Sequence, residues 1–505
     1  MAILTVGPNS TFDSIADAMT AAGPGDTIRL EDGYSDELAV VTHSGMIITG
    51  GSDSTNIVLR LAVGIPAVSL GGEAPIRLFD ARDGNDIVGN DGDNMIQVSA
   101  GADAASGGLG HDRLVVDYRL ATGAVTGDST SSFAEAGGGG RMVTVNGGFE
   151  DFTIWTGSGA DTLTTGDGDD IIRAGDGANT ITAGQGENLI IGGSGTDTVT
   201  ALDGGNVVNA GDGENTVTTG AGGDVIQTGV DGDTIVAGAG NDRVTARGGA
   251  DTISAGAGDD LLIVDYSNAL TAVTGGVENG GMSGYGGHIA DLAGATLDFT
   301  GVERFWIQTG SGNDSIRTGD RNDRLSGGRG GDRLDAGGGV DQLAGEAGDD
   351  VLLGREGRDV LAGNGGDDRL LGGSGNDRLA GGLGDDRLFG GTGEDLLHGG
   401  AGNDRFVFNE GLGSQQDRIA DFEEAGDNDT FLLDDAIFTA LSEGRLDAGQ
   451  FHLGTSARDA GDRIIFDDAT GALYYDADGT GAIAAVHFAT VDPHASVTYT
   501  DFQII

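Results

Sequence analysis

From Gly159 onward the sequence returns to itself every nine residues, and that period decides what the chain can fold into. Glycine stands at 159, 168, 177, 186, 195, 204, 213, 222, 240, 249 and 258, and only Asp231 breaks the series. Two residues after each comes Asp or Asn: Asp161, Asp170, Asn179, Asn188, Asp197, Asn206, Asn215, Asp224, Asp233, Asp242, Asp251 and Asp260. Two further on lies a large aliphatic, from Leu163 and Ile172 to Ile253 and Leu262. A second array runs from Gly312 to Phe406 with Asp at every acidic position: Asp314, Asp323, Asp332, Asp341, Asp350, Asp359, Asp368, Asp377, Asp386, Asp395 and Asp404. Its apolar position is Ile316, then leucine through Leu397, then Phe406. A shorter, less regular array surrounds Asp86, Asn94, Asp103 and Asp112.

A nine-residue unit of this kind is a turn followed by a very short strand. The six residues G-G-x-G-x-D supply the turn, because glycine reaches positive φ without penalty. The remaining x-U-x is a three-residue strand with one inward side chain. One unit cannot bury that side chain alone, so two units form a coil and successive coils stack around an aliphatic interior. The five prolines, Pro8, Pro24, Pro66, Pro75 and Pro493, all lie outside the two long arrays and leave their ladders uninterrupted. The expected fold is all-β, a right-handed parallel β-roll or β-helix solenoid.

With two units per coil, the acidic residues of every second unit share an edge, one strand spacing (~4.8 Å) apart. Two carboxylates at that distance repel by roughly 1 kcal/mol in water and ~3–4 kcal/mol at an effective dielectric near 20. A cation between the layers removes that objection. The turns offer carboxylates and backbone carbonyls but no repeated His, no Cys and no Lys, a donor set that suits Ca²⁺ over Mg²⁺ or a transition metal. Dense calcium is expected along Asp314–Asp404 and at Asp224, Asp233, Asp242, Asp251 and Asp260. Around residues 170–215, where Asn alternates with Asp, sparse or absent calcium is expected, with stacked amides bonding along the ladder.

The repeat G-G-x-G-x-D-x-U-x resembles the calcium-binding nonapeptide of the secreted RTX (repeats-in-toxin) family. The resemblance implies ions between turns of adjacent coils, held by the Asp and by loop carbonyls. Here those carbonyls belong to Gly330, Gly339, Gly348, Gly357, Gly366, Gly375, Gly384, Gly393 and Gly402. It also implies a partner, the type I secretion machinery, and a secreted or cell-surface location. The final stretch, closing on Asp501-Phe-Gln-Ile-Ile505, resembles the C-terminal region of serralysin-type proteins, which carries an uncleaved export signal. No basic n-region with an apolar core opens the chain, and it contains no cysteine, in keeping with that route.

The expected organisation is an N-terminal cap over 1–80, a short irregular array over 81–116, an insertion over 117–156, a repeat array over 157–264, a second insertion over 265–309, a second array over 310–408 and a small C-terminal β domain over 409–505. In the cap, a helix starting near Ser10–Asp13 presents Ile15, Ala18, Met19 and Ala22 on one face, followed by strands at Thr27–Leu30 and Met46–Thr49. This resembles the cap of right-handed parallel β-helix proteins, including alginate epimerases that also carry RTX modules. The insertions look like copies of one another and are expected to leave the roll and rejoin through Phe152–Gly159 and Phe305–Gly312. Trp155 and Trp306 point outward, either packed under the insertion or forming a repeated contact surface.

Composition narrows the function. Against 81 Asp and Glu stand 26 cations, all arginine, for a net charge of −55. Nucleic acid is excluded as a partner by repulsion, and a folded chain this acidic requires neutralisation. Of the 23 repeat positions in the two long arrays, 19 are Asp. About a dozen to twenty Ca²⁺ would cancel ~24–40 charges. No transmembrane segment is expected, since no run of eighteen uncharged apolar residues occurs. No enzyme is expected: H-E-x-x-H and G-x-S-x-G are absent, and Asp492-Pro-His494, similar to an epimerase motif, falls outside the cap. Asp476-Ala-Asp-Gly479 is either a tight turn or a further calcium loop. Three roles follow: a structural or surface component such as an S-layer, matrix or filament, with self-association; an adhesin binding cell-surface polysaccharide; or a polysaccharide-active accessory protein related to epimerase R-modules.

Overall fold

The computed structural model describes every residue except 81, 138, 282–283, 413–415 and 423–426. It contains two compact units, Met1–Val244 with Asp251–Gly256, and Thr245–Ala250 with Ala257–Ile505. Each is a stack of coils in which strands pair in parallel with the strand one coil away. Among the described residues no helix is long and apolar enough to cross a membrane.

In the first unit the coils begin at the first strand. Ile3–Val6, Thr27–Leu30, Met46–Gly50 and Ala67–Gly72 pair in succession on one sheet, and Ser35–Val41, Thr55–Leu61 and Ile76–Phe79 do so on the other. The segment read as a cap is therefore already solenoid. Its helix, Ile15–Ala21, starts later than the sequence predicts. Ser14 is the N-cap, accepting from the Asp17 N–H at 3.0 Å, and the Glu37 carboxylate takes the N–H groups of Ile15 and Ala16. Ile15, Ala18 and Met19 are buried, as the apolar face predicts.

The repeats keep one register. Ile181 pairs with Val199, and Val199 with Val217. In the second unit Leu370 pairs with Leu388, and Leu361 with Leu379. All of these side chains are buried, so the eighth residue of each nonapeptide forms a continuous aliphatic column. Burying one such leucine contributes roughly 2 kcal/mol.

The insertions do not leave the ladder. In the first unit Val125–Asp128 pairs in parallel with Thr162–Thr164, and Met142–Val145 in parallel with Ala102–Ser106. Between them Ser132–Glu135 runs antiparallel to both. In the second unit Val273–Gly281 pairs in parallel with Ser315–Arg317, and Gly284–Asp291 lies antiparallel between it and Thr296–Val302. Each insertion thus widens one sheet by a reversed strand. The core beneath is closed by aromatics: Phe133 against Phe152 at 6.2 Å and Phe299 edge-on to Phe305 at 5.3 Å. Phe299→Ala should cost about 3–5 kcal/mol, read as a lower melting temperature in calcium.

The C-terminal segment also continues the coils instead of forming a separate layer. Asp417–Ile419 pairs with Leu396–Ala401, and Thr430–Leu433 with Arg405–Phe408. The predicted hairpin is present, Ile464–Asp467 antiparallel to Ala472–Tyr475. Phe431 stacks on Phe422 at 4.4 Å and on Phe502 at 4.7 Å, replacing the aliphatic column with rings.

Candidate metal centre

Each sixth-position aspartate of the second array, from Asp314 to Asp404, is at most 3 % exposed. The backbone N–H of Asp314 donates to Oδ1 of Asp332, one coil on, at 2.8 Å. The pattern continues through Asp332–Asp350, Asp350–Asp368, Asp368–Asp386 and Asp386–Asp404 on one edge. On the other it links Asp323, Asp341, Asp359, Asp377 and Asp395, all at 2.7–2.9 Å. The first unit repeats it from Asp224 to Asp242 and from Asp233 to Asp251. Oδ1 is therefore committed to the coil stack.

The second oxygen is not. Oδ2 of every sixth-position aspartate from Asp314 to Asp404, and of Asp224, Asp233 and Asp251 in the first unit, is buried with no hydrogen-bond donor. An unpaired buried carboxylate oxygen costs several kcal/mol. Burial pushes Asp341 up to about 8, Asp332, Asp350, Asp377 and Asp386 to about 7, and Asp359, Asp368 and Asp404 to about 6.

The asparagine turns show what that oxygen faces. The side-chain amide of Asn215 donates to the carbonyls of Gly213 and Gly211, at 2.8 and 3.0 Å. Asn206 donates to Gly204 and Leu202, and Asn188 to Gly186 and Gly184, or along the ladder to Asn206 at 2.9 Å. The residue two before the Asn is the fourth of the nine, and the residue four before it is the second. With Asp in place of Asn, the NH₂ becomes an oxygen, and oxygens converge with no proton between them. That arrangement fits a hard divalent cation with oxygen ligands.

The glycines Gly330, Gly339, Gly348, Gly357, Gly366, Gly375, Gly384, Gly393 and Gly402 occupy the fourth position, all with φ between +122° and +149°. Where a backbone bond is resolved, their N–H donates to the third residue one coil on, as from Gly375 to Thr392 at 2.8 Å. The carbonyl of Gly357 faces the Cα of Gly375. The same carbonyls that receive the amide in asparagine turns thus line the Asp turns.

The repeats match the family model for the RTX calcium-binding nonapeptide repeat over residues 80–114, 155–190, 191–226, 227–262, 308–343, 344–379 and 380–411. The chain is an RTX calcium-binding repeat protein. Its cofactor is Ca²⁺, in multiple copies. Comparison with curated proteins finds no match.

Among the described residues of this RTX protein, four ladder residues escape the nonapeptide pattern. Glu150 accepts from the Asp112 N–H at 2.8 Å, and Glu303 from the Asp260 N–H at 2.9 Å. Both stand two residues before an inward phenylalanine, Phe152 or Phe305, the offset that Asp keeps from its aliphatic, so a search for either acid at that offset finds them. Asp417 accepts from Asp395 at 3.1 Å, and Asp429 from Asp404 at 2.9 Å, carrying both edges past the last repeat. Burial and the adjacent Asp395 carboxylate push Asp417 up to about 8.

The tryptophans are outward, as expected. Arg119 lies 4.7 Å over the half-buried Trp155, and Arg324 lies 5.0 Å over Trp306, which is 37 % exposed. In the Asp476-Ala-Asp-Gly479 turn the Asp476 carboxylate accepts from the Asp478 N–H at 3.2 Å, and Gly479 has φ +65°.

Proposed function

We propose that this RTX protein is exported unfolded by a type I system, folds on calcium outside the cell and serves there as a structural or cell-surface component. The observation that carries the reading is the run of buried Asp Oδ2 atoms without donors. At neutral pH such a stack does not tolerate its own charge, so in a cytosol poor in free calcium the arrays stay threadable. Extracellular calcium at about millimolar levels saturates sites with dissociation constants of about 10⁻⁴–10⁻³ M. The ligands we assign are Asp Oδ2 with turn carbonyls, densest from Asp314 to Asp404 and including the fourth-position glycines Gly330–Gly402. The aspartates Asp224, Asp233, Asp242, Asp251 and Asp260 join them by the same sequence pattern.

The role is mechanical, not catalytic: a calcium-stiffened solenoid whose stacked coils supply length and rigidity. Electron microscopy of the purified protein tests it. Ordered lattices or filaments in calcium, dispersed by chelator, are expected; monodisperse single particles under both conditions would refute the structural role. The exposed Trp306 beside Arg324 supports a second reading, an adhesin that stacks a sugar ring on the indole. Glycan-array retention abolished by Trp306→Ala would favour that reading.

A further inference from the structure

One face of the first unit carries a two-dimensional grid of hydroxyls. The strands Thr162–Thr164, Thr180–Ala183, Thr198–Ala201, Thr216–Thr218, Thr234–Val236 and Ala250–Ser254 follow one another in parallel, one coil apart, and their register runs through all six without a bulge. Each turns one aliphatic side chain inward and the two beside it outward. The first outward row is Thr162, Thr180, Thr198, Thr216, Thr234 and Thr252, all exposed. The second is Thr164, Thr182, Thr200 and Thr218, half-buried, continued by Val236 and Ser254. Ten of these twelve outward positions are threonine and none is charged, in a chain whose net charge is −55.

Strand propensity does not account for the grid. The other sheet of the same coils has the same call for β-branched side chains. Its outward positions hold Ile171, Leu189, Val207 and Val225 in one row and Arg173, Ile191, Asn209 and Gln227 in the other, with no threonine. Nor do the hydroxyls serve the fold. Thr156 and Thr219 donate to carbonyls one coil on, but among the described residues no hydroxyl of the two outward rows bonds to the protein.

The spacing shows what such a grid meets. Successive coils set the side chains ~4.8 Å apart, and two residues along a strand set them ~6.6 Å apart. In ice each oxygen bonds tetrahedrally to four others at ~2.75 Å, so equivalent oxygens repeat at ~4.5 Å along one axis and ~7.3 Å at right angles to it. The two grids agree to about a tenth in both directions. Threonine suits the contact, because its hydroxyl bonds to a lattice water while the methyl beside it fills the gap between rows. Neutrality matters as much: ice rejects ions, and a charged side chain keeps its own hydration shell. The grid is also held in place before any contact is made. Asn179 and Asn215, at the head of two of these strands, close their turns by donating side-chain amides to Gly177 at 3.1 Å and Gly213 at 2.8 Å. A surface already ordered loses little freedom on binding.

We propose that this face binds the surface of ice, its two threonine rows holding water in lattice positions. The activity is additional to the structural role and does not depend on how many calcium ions the arrays take.

The test is partition of the full chain, in calcium, between slowly growing ice and the remaining liquid, with thermal hysteresis of single ice crystals as a second readout. The wild type is expected to be enriched in the ice and to arrest crystal growth over a measurable interval below the melting point. T198K/T216K sets two cations in the middle of the grid and removes two hydroxyl contacts, and should be enriched at least about tenfold less. V207K/V225K makes the same change on the opposite sheet and should behave as the wild type. All of these positions are outward, so the three proteins should share one dichroism spectrum and one melting temperature. Exclusion of the wild type from ice would overturn the proposal. Equal enrichment of T198K/T216K, or an equal loss in V207K/V225K, would do the same. Retention of the wild type on crystalline cellulose without enrichment in ice would also overturn it, and would assign the face to a crystalline polysaccharide. Should the double variant not fold, the single variant T216K carries the comparison, and exclusion of the wild type from ice remains decisive.

Discussion

Chelating calcium at pH 8 should abolish the β signal of the Asp332–Asp404 run, and lowering the pH to about 4.5 in the same chelator should restore it. The sign follows from the buried carboxyls. Asp332, Asp350, Asp377 and Asp386 are pushed up to about 7 and Asp341 to about 8 by burial in the metal-free fold, against an ordinary value of 3.8. A folded state that holds protons more tightly than the unfolded chain loses stability as pH rises, here between about 4 and 8. A carboxyl displaced from 3.8 to about 7 disfavours the ionised fold by about 4 kcal/mol. Two or three of these match the whole stability of an ordinary domain, about 5–15 kcal/mol. Protons and calcium are thus alternative ways of neutralising the same oxygens, and only calcium does so at neutral pH. Circular dichroism titrated with EDTA at pH 8 and pH 4.5 makes the measurement. Hydrogen exchange adds the location: amides around Asn188–Asn215 should stay protected in chelator, because there the side-chain NH₂ already satisfies the turn carbonyls. Unchanged dichroism in chelator at pH 8 would rule out calcium-driven folding.

The second large effect is steric. Gly375→Ala should destabilise the calcium-loaded protein by more than about 4 kcal/mol. Its φ is +124°, and a Cβ there would lie 1.6 Å from the carbonyl oxygen of Gly357, a backbone atom fixed by its own coil. An L-side chain is strained by the dihedral alone. Relieving the overlap requires neighbouring coils to separate, which loosens the turn around the ion as well. Denaturant unfolding in saturating calcium should show the loss, together with weaker calcium affinity. Gly411→Ala is the control, since no atom lies within 4 Å of a Cβ there and its φ is ordinary. Equal midpoints for the two variants would show that coil spacing does not depend on the fourth-position glycine.

The nonapeptide period by itself determined the parallel solenoid, the buried eighth residue and the acidic edges, because each follows from contacts inside a unit or between units at a constant separation. The contrast between Asp and Asn turns was legible for the same reason: one atom differs at a repeated position. What the tertiary structure alone decided involves partners at irregular distances. The insertions look like departures from the roll in sequence, yet their outer strands rejoin the ladder around an antiparallel return, a pairing no local period signals. Glu150, Glu303, Asp417 and Asp429 complete the acidic ladders across 38, 43, 22 and 25 residues instead of the regular 18, so the stack of coils places them and the spacing does not. The division of each carboxylate, Oδ1 bound to the coil before it and Oδ2 left for a cation, exists only once two coils are stacked.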